Sequence, residues 1–154
     1  RELQKHRSHR SRDRNHQVKP AKAAEVAPAR LAAGAFALRA RETLAAQGIA
    51  ARVVDLHTPK PLDRALITAC ARETGAIVTA EEHQVHGGLG GVVAEVVVQT
   101  HPVPMELVAV QDRFGQSGKP AELMDAFGLR AKDIVAAAER VVQRKCGRAV
   151  TPSG

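Results

Sequence analysis

The chain contains no tryptophan or tyrosine and only three phenylalanines among its 154 residues. Because aromatic side chains are so scarce, any core must be built from Ala, Val, Leu and Ile, and hydrophobic residues make up 44% of the chain. This composition favours an α/β protein with buried parallel strands and alanine-rich helices. The length is that of one domain large enough to bury a core.

Cysteine is also scarce, and long hydrophobic runs are missing. Cys70 and Cys146 lie far apart and lack the spacing of a metal site, so a reduced, cytoplasmic protein is expected. No apolar run approaches the roughly 20 residues that a membrane-spanning helix needs. No signal-peptide pattern opens the chain, and no membrane association is expected.

Acidic residues are sparse at one end of the chain, where the positive charge is concentrated. The formal net charge is +7, but residues 1–22 carry eight Lys and Arg against two acidic residues, which leaves +1 for the rest. With so few apolar residues, this end is predicted to be a basic, disordered tail over residues 1–27. Binding of nucleic acid by the tail is the weakest interpretation, because no RGG repeat, interleaved aromatic residue or recognition-helix pattern accompanies it.

Apolar periodicity after the tail predicts alternating helices and strands. Helices are predicted for 28–48, 62–75, 121–128 and 131–145, and for a segment that starts near Leu89 and repeats through Val97; strands are predicted for 49–57, 76–80 and 104–111. The alternation predicts one α/β domain over 28–146 with a mostly parallel sheet between two layers of helices, and a frayed end over 147–154. In the second helix the predicted inward face consists of Leu62, Ala65, Leu66, Ala69 and Cys70.

A corner between strand and helix holds two carboxylates, two histidines and a glycine-rich turn. A zincin-type metal site is not expected, because that motif needs two histidines four residues apart, whereas His83 and His86 are three apart. The dinucleotide pattern G-x-G-x-x-G also fails: Gly88 and Gly90 fit, but Val93 occupies the third glycine position. Weak anion binding at the start of the helix stays open beside a purely structural turn.

The candidate structural or interface residues of this corner are Glu81, Glu82, His83, Gly87, Gly88 and Gly90. A carboxylate at the end of a parallel sheet needs hydrogen-bond donors, and the nearest are the free N–H groups of the helix that starts near Leu89. One of the two glutamates is therefore expected to hold the glycine turn. Strand alternation would send Glu81 and His83 to one side and Glu82 to the other, with His83 facing partner domains. The alternative is that all three are solvated.

The turn after the last predicted strand offers a second candidate interface, formed by Asp112, Arg113 and Phe114. In doubly wound sheets, ligands and partners collect at the loops that follow the strands. Phe114 could instead plug the end of the sheet, and that alternative stays open.

Nucleophilic catalysis has little support in the residues themselves. Cys70 lies on the predicted apolar face of its helix and is expected in the core. Ser117 has no recognisable His or Asp partner. His57 and His101 adjoin the ends of predicted elements and are expected to be solvated or hydrogen-bonded. No catalytic, cofactor-binding or metal-binding residue is therefore assigned.

Four segments together resemble the C-terminal domain of transketolase: GIAARVVDLHTPKPLD, ETGAIVTAEEHQVHGGLGGVVAEVV, PVPMELVAVQDRFGQSGKPAELMDAFGL and KDIVAAAERVV. The likeness covers about residues 44–143. It is strongest to the separately encoded C-terminal subunit of split bacterial transketolases. Deoxyxylulose-phosphate synthases and β subunits of 2-oxo acid dehydrogenases carry the same domain, but EEH…GGLG and DRFGQSG favour transketolase.

The resemblance implies a three-layer α/β/α domain with a mixed sheet of about five strands. It also implies part of a transferase that moves a two-carbon ketol unit between sugar phosphates in the pentose phosphate pathway. In that family thiamine diphosphate and Mg²⁺ bind between two other domains, which bind the pyrophosphate and the pyrimidine. This domain would then be non-catalytic by itself and serve in packing and dimer assembly. The alternative is a stand-alone regulatory or anion- or protein-binding module.

One segment departs from the family pattern. The family's domain opens with a strand of the type VTIIATG, whereas AAEVAPARLAAGAFALRA, residues 23–40, offers no convincing strand. The chain also begins with Arg and without the pyrimidine-binding domain, which predicts a fragment, or a shifted reading frame or alternative start over the first 30–40 residues. A sheet without that strand would leave an exposed edge.

Overall fold

A computed structural model describes residues 23–28 and 31–147 of the chain. In chain order the elements of these residues are β1 (Ala23–Pro28), α1 (Leu31–Ala46), β2 (Ala50–Val53), α2 (Arg64–Thr74), β3 (Ile77–Gln84), α3 (Leu89–Thr100), β4 (Met105–Val110), α4 (Pro120–Ala126) and α5 (Ala131–Lys145). Most of the predicted basic tail and almost all of the predicted frayed end lie outside the described residues. None of the described helices is long and apolar enough to cross a membrane.

The four described strands form one sheet in the order β2-β1-β3-β4, and every pairing is parallel. Helices α1 and α5 pack on one face of the sheet, whereas α2 and α3 pack on the other. The described part of the chain is therefore the predicted three-layer α/β/α domain. The described residues form four strands, whereas about five were expected, and none of the four is the antiparallel strand that a mixed sheet contains.

The expectation that residues 23–40 contain no strand is wrong. Ala23–Pro28 form β1, which lies inside the sheet, with Val26 beside Val53 of β2 and Val78 of β3. Ala24 is fully buried. Because a central strand is hydrogen-bonded on both sides, its position in the sheet outweighs the weak strand propensity of an alanine-rich segment. The sheet thus includes residues 23–27, which the sequence assigns to the tail.

Strand β2 also differs from its prediction. It covers only Ala50–Val53 of the predicted 49–57 and lies at an edge of the sheet, with alternately exposed and half-buried residues. An edge strand buries less than a central one, so the strand that was expected to be buried is partly exposed.

Helix α2 begins and ends as its capping residues predict, but its buried face is rotated. Asp63 is the N-cap, and its Oδ1 accepts a hydrogen bond from the Leu66 N–H at 2.9 Å. Gly75 ends the helix with a φ of +70°. The buried residues are Ile67, Cys70, Ala71 and Thr74. The helix starts after Asp63, so the predicted inward residue Leu62 precedes it. Ala65, which was also predicted to face inward, is exposed.

Apolar spacing in the sequence predicts inward faces for α3 and α5, and the structure agrees with them except that Val92 is half-buried. The predicted faces are Leu89, Val92, Val93, Val96 and Val97 in α3, and Ile134, Val135, Ala138, Val141 and Val142 in α5. The buried residues of α3 are Leu89, Gly90, Val93, Val96 and Val97, and those of α5 are Ile134, Val135, Ala137, Ala138, Val141 and Val142. Long side chains at helical spacing carry a clear signal, which short alanines weaken in α2. Cys70 is buried as expected, and Cys146 is exposed at the end of α5.

Candidate functional site

The carboxyl end of β3 contains an irregularity that positions three candidate residues. Strand β3 runs to Gln84, four residues beyond its predicted end. Ala80 pairs with Val108 and Gln84 pairs with Val110, so the three residues between them on β3 face a single residue of β4. Such a bulge bends the strand and redirects its side chains, often beside functional sites. The bulge here consists of Glu81, Glu82 and His83.

Glu81 closes the glycine-rich turn from within the domain. Its side chain continues the face that Ile77 and Thr79 present to α3, and the residue is 4% exposed. Its Oε2 accepts a hydrogen bond from the Leu89 N–H at 2.7 Å, and its Oε1 accepts one from the Gly90 N–H at 2.8 Å. One carboxylate therefore satisfies two of the N–H groups that the start of a helix leaves free. Glu81 is therefore the one of the two glutamates that lies where the sequence predicts a carboxylate to hold this turn.

The close approach of Glu81 to the turn requires glycine. A Cβ at Gly88 would lie 2.7 Å from the Glu81 carboxyl carbon, and a Cβ at Gly90 would lie 2.5 Å from Leu107 Cδ2. Gly87 has a φ of +76°, a conformation that side chains with a Cβ rarely adopt. The glycines thus allow helix α3 to start against the sheet, which is the structural alternative to a phosphate loop.

A cavity of about 300 Å³ opens beside this corner, at the carboxyl ends of β2 and β3. It is lined by Leu56, His57, Pro59, Glu81, Glu82, His83, Gly87, Gly88, Leu89 and Val92. Glu81, Glu82 and His83, which lie in the bulge, all contribute to the lining of this cavity. Among the residues that the structure describes, the charged side chains of this lining are the two carboxylates of Glu81 and Glu82, and no Lys or Arg accompanies them.

His83 is exposed, as a residue that faces partner domains would be. Its Nδ1 lies 2.8 Å from the carbonyl oxygen of Gln84. Because a carbonyl can only accept, Nδ1 carries the proton in this contact and Nε2 of the neutral ring is an acceptor. The contact with partner domains stays a prediction.

The loop after β4 places Phe114 in solvent. Phe114 is 97% exposed, so the alternative that it plugs the end of the sheet is wrong. Arg113, by contrast, is held by the domain: its guanidinium donates to the Ala126 carbonyl at 2.9 Å and lies 5.5 Å from the centre of the Phe127 ring. Asp112 is exposed and has a φ of +44°. The loop therefore exposes the Phe114 side chain to solvent, while the neighbouring Arg113 is bonded to the domain.

One hydrogen bond joins the two candidate regions. The side-chain Nε2 of Gln84, at the end of β3, donates to the Arg113 carbonyl at 2.8 Å. The bulge and the exposed loop therefore lie side by side at the carboxyl edge of the sheet. This is the edge where partners and ligands collect in open α/β sheets.

Sequence reasoning missed the contribution of the loop after β2. Leu56, His57 and Pro59 line the cavity, although His57 was expected to be merely solvated or hydrogen-bonded. A signal was present, since DLHTP follows β2 and EEH lies at the carboxyl end of β3, and the carboxyl ends of parallel strands lie at one edge. What the pattern could not supply was the strand order that brings the two loops within reach of one cavity.

The described residues do not fit thiamine diphosphate or its metal ion. No three His, Cys, Asp or Glu side chains in residues 23–28 and 31–147 are grouped so that they could hold a metal ion. The helix start that could cradle a diphosphate is already bonded to Glu81, and Glu82 adds a second carboxylate to the same cavity. Two carboxylates repel an anion, so the expectation of weak anion binding at this helix start is also not supported by the geometry.

Comparison with known proteins finds similarity to transketolases. A model of the family described as "Transketolase, C-terminal domain" matches residues 33–134. The 6-deoxy-6-sulfo-D-fructose transketolase subunit SqwH of Clostridium sp. (strain MSTE9) is 49% identical over 111 residues, which are 72% of this chain and 34% of that protein. Transketolase of Rattus norvegicus is 44% identical over 109 residues, which are 70% of this chain and 17% of the rat protein.

A solved structure is similar over a larger part of the chain. It is described as "Split gene transketolase, inactive beta4 tetramer" and matches with a TM-score of 0.76 and 47% sequence identity. The match covers 82% of this chain and 41% of that one. The chain therefore corresponds to about a third or less of the length of the two curated relatives and to under half of this solved chain.

Proposed function

Because the chain belongs to the transketolase C-terminal domain family, we propose that it is the assembly domain of a thiamine-diphosphate-dependent transketolase-type enzyme. The complete enzyme transfers a two-carbon ketol unit between sugar phosphates. The cofactor and Mg²⁺ bind to other domains, carried by a partner chain or by the rest of a longer chain. The domain described here is non-catalytic by itself and packs against those domains in a dimeric assembly.

The observation that carries this proposal is the closure of the glycine-rich turn by Glu81. An enzyme that held a diphosphate here would need the N–H groups of Leu89 and Gly90 free, and both are bonded to a buried carboxylate. The corner between β3 and α3 therefore serves the stability of the domain. The similarity of the chain to a subunit of a split transketolase supports a division of labour between chains.

The exposed loop after β4 is the proposed contact with the catalytic domains. Phe114 is one of three phenylalanines in the chain and is almost completely exposed. An aromatic side chain in solvent gains free energy when a partner buries it, and aromatic residues are frequent hot spots in interfaces. Arg113 keeps the base of the loop in place through the Ala126 carbonyl, so little order has to be gained on binding.

We expect the substitution Phe114→Ala to weaken association with the cofactor-binding chain by at least about tenfold, because a buried aromatic anchor is lost. The melting temperature of the free chain should stay nearly unchanged, since substitutions of exposed residues usually alter stability by no more than about 0.5 kcal/mol. Sedimentation of mixtures and thermal melting of the free chain measure the two effects.

Val98→Ala is the matched control, because Val98 is also an apolar side chain in solvent, 72% exposed, but lies on α3. It should change neither quantity. Equal loss of association in both variants, or a lower melting temperature for Phe114→Ala alone, would remove this loop from the interface.

A stand-alone binding module is the second candidate function. Its anion-binding form has no support in the geometry, since Glu81 occupies the helix start. Its protein-binding form shares the Phe114 loop with the assembly proposal. The two differ in the partner: an assembly domain binds a chain with a thiamine diphosphate site, whereas a module binds a protein without one.

A further inference from the structure

The main chain around Phe114 is held from one side of its loop. On the carboxyl side, a Cβ at Gly115 would meet nothing within 4 Å, so this part of the loop is not packed against the described part of the domain. On the amino side, the preceding residue, Arg113, is held at both its main chain and its side chain. The contacts of Arg113 therefore fix the main chain from which the Phe114 side chain projects.

Two neighbouring elements hold Arg113, and each contacts a different part of the residue. On the side of α4, its guanidinium donates to the carbonyl oxygen of Ala126 at 2.9 Å and lies 5.5 Å from the centre of the Phe127 ring. On the side of the sheet, its own carbonyl oxygen accepts a hydrogen bond from Nε2 of Gln84 at 2.8 Å. The contacts of a long side chain alone leave its peptide group free to rotate, because several bonds separate the two. The hydrogen bond from Gln84 removes this freedom.

Gln84 can hold the Arg113 peptide because its own main chain is fixed at the end of β3. Gln84 pairs with Val110 of β4, and the next residue, Val85, donates its N–H to the Val110 carbonyl at 2.9 Å. The same carbonyl accepts a hydrogen bond from the Asp112 N–H at 3.0 Å, so the chain turns directly after β4. The Gln84 side chain therefore connects one strand to the turn that follows its neighbour.

We infer that Gln84 is a positioning residue of the proposed contact: it orders the main chain at Arg113, so that Phe114 is presented to the catalytic domains in a fixed place. The inference rests on the proposed function, in which Phe114 makes the contact, and Gln84 acts through Phe114. An ordered loop binds more tightly than a mobile loop with the same side chains, because the free chain has already lost the entropy. The amide donor of Gln84 is the essential group, since a carbonyl oxygen only accepts.

Gln84→Glu tests the donor, because a glutamate has the same shape and, when ionised, only accepts hydrogen bonds. In the free, full-length ¹⁵N-labelled chain, the heteronuclear Overhauser effect of the Phe114 amide should fall in this variant, which reports faster motion of the loop. Association with the cofactor-binding chain should weaken by about threefold to tenfold, the effect of one hydrogen bond. The melting temperature should stay nearly unchanged, since Gln84 is exposed.

Gln99→Glu is the matched control, because it adds the same charge at another exposed glutamine. The Oε1 of Gln99 accepts a hydrogen bond from Nη2 of Arg64 at 2.9 Å, and a glutamate keeps this acceptor. Gln99→Glu should therefore change neither the motion of the Phe114 loop nor the association.

The double variant Gln84→Glu/Phe114→Ala separates positioning from direct contact. A residue that acts through Phe114 has no further effect once that side chain is removed, so the double variant should associate as Phe114→Ala does. Equal weakening by Gln84→Glu with and without Phe114, unchanged order at Phe114, or equal weakening by Gln99→Glu would overturn the inference. If the proposed function itself fails, Phe114→Ala alone leaves association unchanged, and the order of the loop in the free chain still decides whether Gln84 holds it.

Discussion

Replacement of Glu81 by Gln is expected to lower the free energy of unfolding by about 1.5–3 kcal/mol, the range for hydrogen bonds to a charged group. The Glu81 carboxylate accepts hydrogen bonds from the N–H groups of both Leu89 and Gly90, and the residue is 4% exposed. A glutamine side chain has one acceptor oxygen, so its NH₂ group would face the second backbone N–H. That contact leaves a buried donor unpaired. Chemical denaturation of the two proteins measures the difference.

The matched control for this substitution is Glu82→Gln. Glu82 is the next residue along the same bulge, but its Oε1 has no hydrogen-bond partner to lose. Its replacement should not lower the free energy of unfolding by more than about 0.5 kcal/mol. If Glu81→Gln is as mild as Glu82→Gln, the carboxylate does not hold the turn and this account of the corner is wrong.

Addition of a single methyl group at the glycine turn should destabilise the domain by about 1–3 kcal/mol, as overpacking of a well-filled interior does. In Gly90→Ala the new Cβ would lie 2.5 Å from Leu107 Cδ2 and 3.0 Å from Thr79 Oγ1. In Gly88→Ala it would lie 2.7 Å from the Glu81 carboxyl carbon and displace the side chain that closes the turn. Both effects are measured by thermal or chemical unfolding.

Gly91→Ala is the control for these two variants. Gly91 lies in the same helix, and a Cβ built there meets nothing within 4 Å. Alanine is favoured over glycine in a helix by about 0.5–1 kcal/mol, so this variant should be slightly more stable than the natural chain. If Gly91→Ala lost as much stability as Gly90→Ala, glycine would be required by the start of α3 itself and not by its contact with β3 and β4.

The sequence predicts best those elements whose apolar side chains are large and regularly spaced. Helices α3 and α5 follow from valines, leucines and isoleucines at helical spacing, and their inward faces are confirmed. Strand β1 is the opposite case, because only Val26 among its six residues is a strong strand former. Its formation depends on two neighbouring strands that are distant in sequence, which local propensity does not contain.

The candidate site, like β1, could be predicted from the sequence only where it does not depend on strand pairing. A glutamate bonded to the start of α3 follows from the need of a buried carboxylate for donors, but the choice of Glu81 depends on how far β3 extends. Alternation from Ile77 through Thr79 selects Glu81 only when β3 continues past Ala80, as it does. The bulge and the contribution of His57 depend on pairing with β4 and on the strand order, neither of which is encoded in a local pattern.

We propose that this chain supports the transfer of ketol units without performing it. The most direct measurement is ketol transfer by the purified full-length chain, supplied with thiamine diphosphate, Mg²⁺, a ketose phosphate donor and an aldose phosphate acceptor. We predict no transfer above the rate without protein, and transfer when the cofactor-binding chain is added. Transfer by this chain in the absence of any partner would contradict the account.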